Sequence, residues 1–94
     1  MKIYDKASWH IDANVGKETV NEYFKTVFNW LDENGFLNDE GKEIHDLGTF
    51  TDVSLHEGLL TVAGQMFLEM NYDEILAKIP HGDARIVDAL NGKL

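Results

Sequence analysis

The sequence predicts a mainly α-helical fold, a compact bundle of four or five short helices with a short N-terminal β-strand or extended arm. Its length of 94 residues suits one domain with one core. A hydrophobic content of 44%, with five Phe, three Tyr and two Trp, is enough to fill that core. Apolar residues recur at helical spacings of three and four over most of the chain. We therefore expect residues 1–94 to form a single acidic helical domain.

The first predicted element is the N-terminal strand or arm. From Ala7 onward the sequence alternates, which places Ala7, Trp9 and Ile11 on one face and polar residues on the other. A lone strand is not stable by itself. We expect it to pair with another short segment or to lie across the helices with Trp9 as its anchor.

The clearest predicted helix covers residues 17–34. Thr19 and Glu22 fit a capping box at its start, and Asn34-Gly35 suits a left-handed stop at its end. Its apolar residues recur at spacings of four and three: Val20, Phe24, Val27 and Leu31. A second helix is predicted over residues 39–47, with Asn38 as its cap and Gly48 as its stop. Ser54 and Glu57 form another capping pattern, which Gly58 soon interrupts.

The start of the second helix has an echo later in the chain. Residues 58–67 line up with residues 35–44 at an offset of 23. Each segment has a Gly, two apolar residues, a capping residue, two more residues and a second Gly. We interpret the echo as a repeated way of starting a helix, in which Gly41 and Gly64 allow another part of the chain to pack close.

The region after Thr61 is apolar on two sides. One face of a continuous helix would carry Val62, Ala63, Met66, Phe67 and Met70, and nearly the opposite face would carry Tyr72, Ile75, Leu76 and Ile79. This change of face predicts a helix over residues 61–79 that breaks at Asn71, and the alternative is one long helix buried on both sides. Pro80 ends it, and a last helix is predicted over residues 83–90. The expected shared core is Phe24, Val27, Leu31, Met66 and Phe67.

Charge is the most informative part of the composition. The formal net charge is −9. Residues 31–57 hold eight acidic residues against Lys42, a local sum of −7. Such a segment repels nucleic-acid phosphates and anionic lipid, and it attracts a basic protein surface if the fold gathers it on one side. The alternative is that these residues only keep a small protein soluble.

Catalytic and cofactor motifs are not evident in the sequence. There is no cysteine, and Ser8 and Ser54, the two serines, lie outside any nucleophile turn. No glycine pattern fits a nucleotide phosphate. Of the four histidines, His10 with Asp12 forms the best possible ligand pair, but no cluster has metal-ligand spacing. We predict no enzyme activity, no cofactor and no metal.

One short segment resembles a known class of regulators. The residues Gly58-Leu59-Leu60-Thr61-Val62-Ala63-Gly64 are similar to the start of the last helix in some winged-helix regulators. A recognition helix carries Lys and Arg, whereas residues 39–47 hold Lys42 against four acidic residues. The resemblance therefore implies at most a degenerate winged helix that serves protein contacts, without direct nucleic-acid binding.

These observations favour a soluble, cytoplasmic, non-enzymatic protein-interaction domain without membrane contact. An acidic immunity or antitoxin-type inhibitor, or a phage-type inhibitor, that binds a basic partner protein is the concrete hypothesis. The alternatives are a structural or oligomer-forming subunit, including a homodimer, and the degenerate winged-helix regulator. The expected partner-binding residues are an aromatic anchor and the carboxylates around it: Trp30, Asp32, Glu33, Asp39, Glu40, Glu43 and Asp46. The alternative for Trp30 is a place in a shared aromatic core with Trp9, Tyr23, Phe24, Phe28 and Phe67.

Overall fold

A computed structural model describes residues 2–7, 16–50, 53–78 and 86–93, except for the side chains of residues 73 and 75–78. Within these ranges the elements follow in the order β1 (Ile3–Lys6), α1 (Lys17–Glu33), α2 (Asp39–Leu47), β2 (Ser54–His56), a 3₁₀ turn (Glu57–Leu59), α3 (Val62–Lys78) and α4 (Ile86–Asn91). The predicted small helical bundle with a short N-terminal strand is confirmed.

The N-terminal strand pairs with a segment that was predicted differently. β1 runs antiparallel to β2, with Ile3 opposite His56 and Lys6 opposite Ser54. The prediction that Ser54 starts a helix is wrong, because Ser54 lies in β2 and the His56 ring, rather than a serine, accepts from the Gly58 backbone N–H at 3.0 Å. The predicted anchor Trp9 lies outside the described residues.

The boundaries of α1 and α2 agree with the sequence to within a residue, but one cap does not. Gly16 occupies the N-cap position of α1 without a side-chain hydrogen bond, so the predicted capping box at Thr19 is wrong. The helix begins three residues earlier than that box requires. At the other end, Gly35 has a φ of 71°, the left-handed conformation predicted for this stop.

α3 is one continuous helix that packs on the face opposite to the predicted one. The expected break at Asn71 is wrong, because the Asn71 amide donates to the Phe67 carbonyl one turn earlier at 2.9 Å instead of capping a new helix. The packed side consists of residues spaced by four: Gly64, Leu68 and Tyr72. Met66, predicted in the core, is 61% exposed, whereas Phe24, Val27 and Leu31 are fully buried as predicted. The predicted core residue Phe67 is partly buried and packs against the core cluster.

The two echoed segments contact each other reciprocally. The Asn38 backbone N–H donates to the Leu59 carbonyl at 3.0 Å, and the Thr61 N–H donates to the Phe36 carbonyl at 2.9 Å. Between these bonds, Leu37 and Leu60 form an antiparallel bridge. The echo in the sequence is therefore a pair of helix starts packed face to face, from which α2 and α3 begin.

Each helix start also repeats the same cap and the same close approach. The Asn38 side-chain oxygen accepts from the Gly41 N–H at 3.0 Å, and the Thr61 hydroxyl accepts from the Gly64 N–H at 3.2 Å. A Cβ on Gly41 would overlap the Leu59 carbonyl oxygen, and one on Gly64 would lie 2.6 Å from the Phe36 carbonyl oxygen. Only glycine fits at these two positions without a shift of the backbone.

We therefore predict that Gly64→Ala destabilises the fold. Although alanine favours helix by about 1 kcal/mol over glycine, its Cβ must displace the Phe36 backbone, and overpacking of this kind costs about 1–3 kcal/mol. Urea denaturation measures the difference. Gly92→Ala is the matched control, since a Cβ there would lie 3.5 Å from its nearest atoms, which is an ordinary contact, and its free energy of unfolding should change by less than about 0.5 kcal/mol. A Gly64→Ala variant as stable as wild type would contradict the close approach.

Candidate partner-binding surface

The second helix presents most of its side chains to solvent. α2 buries only Gly41, while Ile44 is partly buried against the core. Four carboxylates on α2 are exposed, and we call them the acidic face: Asp39, Glu40, Glu43 and Asp46. Their side chains and the exposed Leu47 lie on the side of α2 that points away from Gly41.

Short polar interactions hold this exposed helix in place. The Asn38 amide donates to the Gly58 carbonyl at 2.8 Å while its oxygen caps the first turn. Gly48 ends the helix with a left-handed φ of 73°. Asp39 and Glu40 lie in the first turn, where carboxylates interact favourably with the positive end of the helix dipole. A nine-residue helix is marginal alone, so these caps fix the direction in which the acidic face points.

The acidic face has little internal neutralisation. Lys42, the one cation of α2, makes no ion pair with these carboxylates within the described residues. Asp46 approaches the His45 ring nitrogen Nδ1 at 3.4 Å and remains 81% exposed at its side chain. Such a helix keeps a negative potential at its surface, which attracts a basic protein and repels phosphates.

The end of α1 continues this surface. Glu33 is exposed and Asp32 is half-buried. The His45 ring contacts the Asn29 side chain at 2.6 Å, and the Phe50 N–H donates to the Asn21 side chain at 2.7 Å, so the chain after α1 runs back along it. The reversal at Gly35 therefore places Asp32 and Glu33 at the same end of this helix pair as Asp39 and Glu40.

Trp30 is part of the core and offers no surface to a partner. Its side chain is 2% exposed, and the indole N–H donates to the Asn91 side chain at 2.7 Å. Phe36 and Phe67 pack against it with tilted rings at ring-centroid distances of 5.6 and 5.1 Å. An apolar side chain that the sequence analysis missed, Leu47, is 74% exposed beside the acidic face. In the sequence, the position of Leu47 in the last turn of an acidic helix could have indicated that it is exposed.

A buried polar network lies away from this surface. The Asp5 carboxylate is 1% exposed and accepts from the Tyr72 hydroxyl at 2.8 Å. The Tyr72 oxygen lies 2.8 Å from the Tyr23 hydroxyl. Since the single Tyr72 proton is directed at Asp5, Tyr23 is the donor in the second bond. The network joins β1, α1 and α3 in the interior.

The tyrosines of this network stay protonated over the ordinary pH range. Burial raises the pKa of Tyr72 well above its usual value of 10.0, and the nearby Tyr23 and Asp5 add to the effect. Burial also raises the pKa of Tyr23, which the hydrogen bond to Tyr72 only partly offsets. For Tyr4, burial again raises the pKa, followed by the charge of Glu69. All three tyrosines therefore ionise less readily in the folded chain.

A metal site or a catalytic pair is not evident among the residues that the structure describes. Within it, no three His, Asp or Glu side chains converge as a metal site would require. The His10–Asp12 pair lies outside the described ranges. A surface cleft at the start of α1 is lined by Lys17, Glu18, Asn21, Glu22 and Thr49, none of them a nucleophile paired with a base. Of the described helices, none is long and apolar enough to span a bilayer.

Comparison of the chain with protein-family models, with curated proteins and with solved structures gives no match. The assignment of function therefore rests on the geometry of the chain itself.

The buried network yields a prediction about stability. Tyr72→Phe removes one donor to Asp5, which still accepts from the Lys6 backbone N–H at 2.8 Å, and it removes the hydroxyl that Tyr23 contacts. The loss of such hydrogen bonds to buried groups costs about 1–3 kcal/mol. Tyr4→Phe is the matched control, because the Tyr4 hydroxyl contacts the Gln65 carbonyl at a long 3.4 Å, and its loss should cost less than about 1 kcal/mol. Equal free energies of unfolding for the two variants would show that the network contributes nothing.

The raised tyrosine pKa values predict that the fold loses stability at alkaline pH. Because the folded state binds these protons more tightly, their contribution is complete below the unfolded pKa of 10.0 and is lost as the pH rises towards the folded values. In an ultraviolet absorbance titration, tyrosinate should appear near pH 10 in denaturant and at a higher pH in the folded protein. Tyrosine ionisation near pH 10 in a chain that is still folded would contradict the burial of these hydroxyls.

Proposed function

We propose that this protein is a non-enzymatic protein-interaction domain that binds a basic partner protein through the acidic face of α2. One observation carries the proposal. Four carboxylates of one short helix are exposed together, and none forms an ion pair with a lysine or arginine among the described residues. Glu33 and Asp32 extend the surface at the end of α1. The partner chemistry that fits this surface is a patch of Lys and Arg.

Such a domain is expected to inhibit its partner by covering the partner's binding site. Enzymes that act on nucleic acids bind phosphates with Lys and Arg. A helix that presents carboxylates in place of phosphates would cover such a site, and long-range attraction would speed its association. This mode fits an immunity, antitoxin-type or phage-type inhibitor and requires no catalytic group in the chain.

Leu47 is proposed as the apolar anchor of this surface, the role that the sequence assigned to Trp30. Charged residues at the rim of an interface affect mainly the association rate, while an apolar side chain buried at contact slows dissociation. Leu47 is the exposed large apolar residue of α2. We therefore assign the apolar contact of this surface to Leu47 and its electrostatic attraction to the acidic face.

A charge-reversal experiment tests this proposal. A partner is isolated by affinity capture at low salt and identified, and its binding to purified wild type and to Asp39→Lys, Glu43→Lys is measured over a range of salt concentrations. Each exposed charge contributes up to about 1 kcal/mol, and reversing two carboxylates also creates repulsion. We expect the association rate to fall at least about tenfold at low salt and the salt dependence to weaken.

A matched control separates this surface from net charge. Glu18→Lys, Glu22→Lys makes the same change in charge with the same spacing, beginning in the first turn of α1 as Asp39 does in α2. This control should bind almost as wild type does. If the α2 variant is folded by circular dichroism and binds with unchanged rate and salt dependence, the acidic face is only a solubility device. An equal loss in both variants would assign the effect to net charge.

A further inference from the structure

The His56 side chain caps the 3₁₀ turn (Glu57–Leu59) through a ring nitrogen that carries no proton. The Gly58 backbone N–H donates to Nδ1 of this ring at 3.0 Å. A backbone N–H is always a donor, so Nδ1 is the acceptor in this bond. The neutral ring therefore holds its proton on Nε2. The cap exists only while Nδ1 has no proton.

The capped turn supports the start of α2. The Asn38 side-chain amide donates to the Gly58 carbonyl at 2.8 Å, and the Asn38 backbone N–H donates to the Leu59 carbonyl at 3.0 Å. Gly41, in the first turn of α2, packs against the same Leu59 carbonyl. A short 3₁₀ turn has poor hydrogen-bond geometry of its own. The His56 cap therefore helps to hold the segment on which α2 begins.

Protonation of the His56 ring abolishes this cap. An imidazolium carries a proton on both ring nitrogens, so the Nδ1–H and the Gly58 N–H would then point at each other. The ring must turn away, and the half-buried Gly58 N–H loses its acceptor. Histidine side chains change their charge between about pH 5 and pH 8. The hydrogen bond is present above the pH at which the ring takes up its proton and absent below it.

The charges around the turn act on the ring but do not replace its lone pair. Among the described residues, no carboxylate forms an ion pair with the His56 ring. The charged residues of the elements that meet the turn are Lys2 and Lys6 on β1, Glu57 in the turn itself, Asp39 and Glu40 in the first turn of α2, and Glu69 on α3. The four carboxylates favour a charged ring and the two lysines oppose it. These charges influence when the ring is protonated, whereas the facing N–H determines what is lost.

We propose that His56 is a proton-sensitive cap, which holds the 3₁₀ turn and the start of α2 while its ring is neutral and loosens both when the ring is protonated. The contribution of this hydrogen bond to stability is complete at neutral to alkaline pH and is lost as the pH falls. The cap lies outside the acidic face, and it is independent of the function proposed for that face.

Nitrogen-15 NMR of the His56 ring tests the cap in the wild-type chain. Correlation of the ring nitrogens with the ring carbon-bound protons distinguishes the two neutral tautomers. At about pH 8, where an ordinary histidine is neutral, we expect the proton on Nε2 and a bare Nδ1. The Gly58 amide resonance should shift together with the ring as the pH is lowered. A neutral ring that carries its proton on Nδ1 would overturn the proposal.

His56→Asn separates the cap from its response to pH. An asparagine oxygen accepts from the backbone N–H two residues later, and it does not titrate. We expect the protection of the Gly58 and Asn38 amides against hydrogen exchange to fall about fivefold in wild type between about pH 8 and pH 5. Protection is measured relative to the exchange rate of an unfolded chain at the same pH. In His56→Asn it should stay constant.

His45→Gln is the matched control, because the His45 ring contacts the Asn29 side chain and no backbone N–H. This variant should lose protection at the Gly58 and Asn38 amides on acidification as wild type does. An equal loss in wild type and His56→Asn would show that another group is responsible and would overturn the proposal. If His56→Asn does not fold, the tautomer of the wild-type ring decides.

Discussion

The reciprocal contact between the two helix starts is the constraint on which the rest of the molecule depends. Two backbone hydrogen bonds, from Asn38 to Leu59 and from Thr61 to Phe36, join segments that are 23 residues apart in the chain. Each bond lies beside a glycine that lets the partner backbone approach the helix. Because α2 and α3 both begin here, this contact sets where each helix starts and which side of it meets the interior. The acidic face of α2 and the exposed apolar side of α3 are the sides that remain.

The buried Asp5–Tyr72–Tyr23 network explains why α3 packs on one of its two apolar sides. Gly64 must face the Phe36 backbone, and Tyr72, eight residues later on the same side, must reach Asp5. A rotation of the helix that buried Met66 would lose both interactions, and the buried Asp5 carboxylate would lose one of its hydrogen-bond donors. The hydrophobic pattern of α3 allows either of its apolar sides to face the core. The close approach at Gly64 and the hydrogen bond of Tyr72 select one of them. The exposed methionines follow from this selection.

The difference between a hydrophobic pattern and specific contacts also shows what the sequence could predict. Periodicity and the stop at Gly35 identified α1, and the Asn38 cap and the Gly48 stop identified α2, both almost to the residue. The glycine echo was visible, but its reciprocal packing was not, since a pattern does not say which segments meet. The position of Trp30 at the edge of the apolar arc of α1 allows either a place in the aromatic core or a role as an interface anchor, and the placement of Phe36, Phe67 and Asn91 around it shows that it is buried. The acidic residues of α2 were correctly placed on one helix.

The two surfaces differ in the force that would act on them. α2 combines a minimal apolar contact with unpaired carboxylates, so its interactions reach several ångströms into solvent and weaken with salt. α3 has an apolar side with its described carboxylates paired, so its interactions act only at contact and are insensitive to salt. Charge and exposed apolar surface therefore lie on two different helices that start from one contact. A change of salt concentration acts on the first surface and leaves the second almost unaffected.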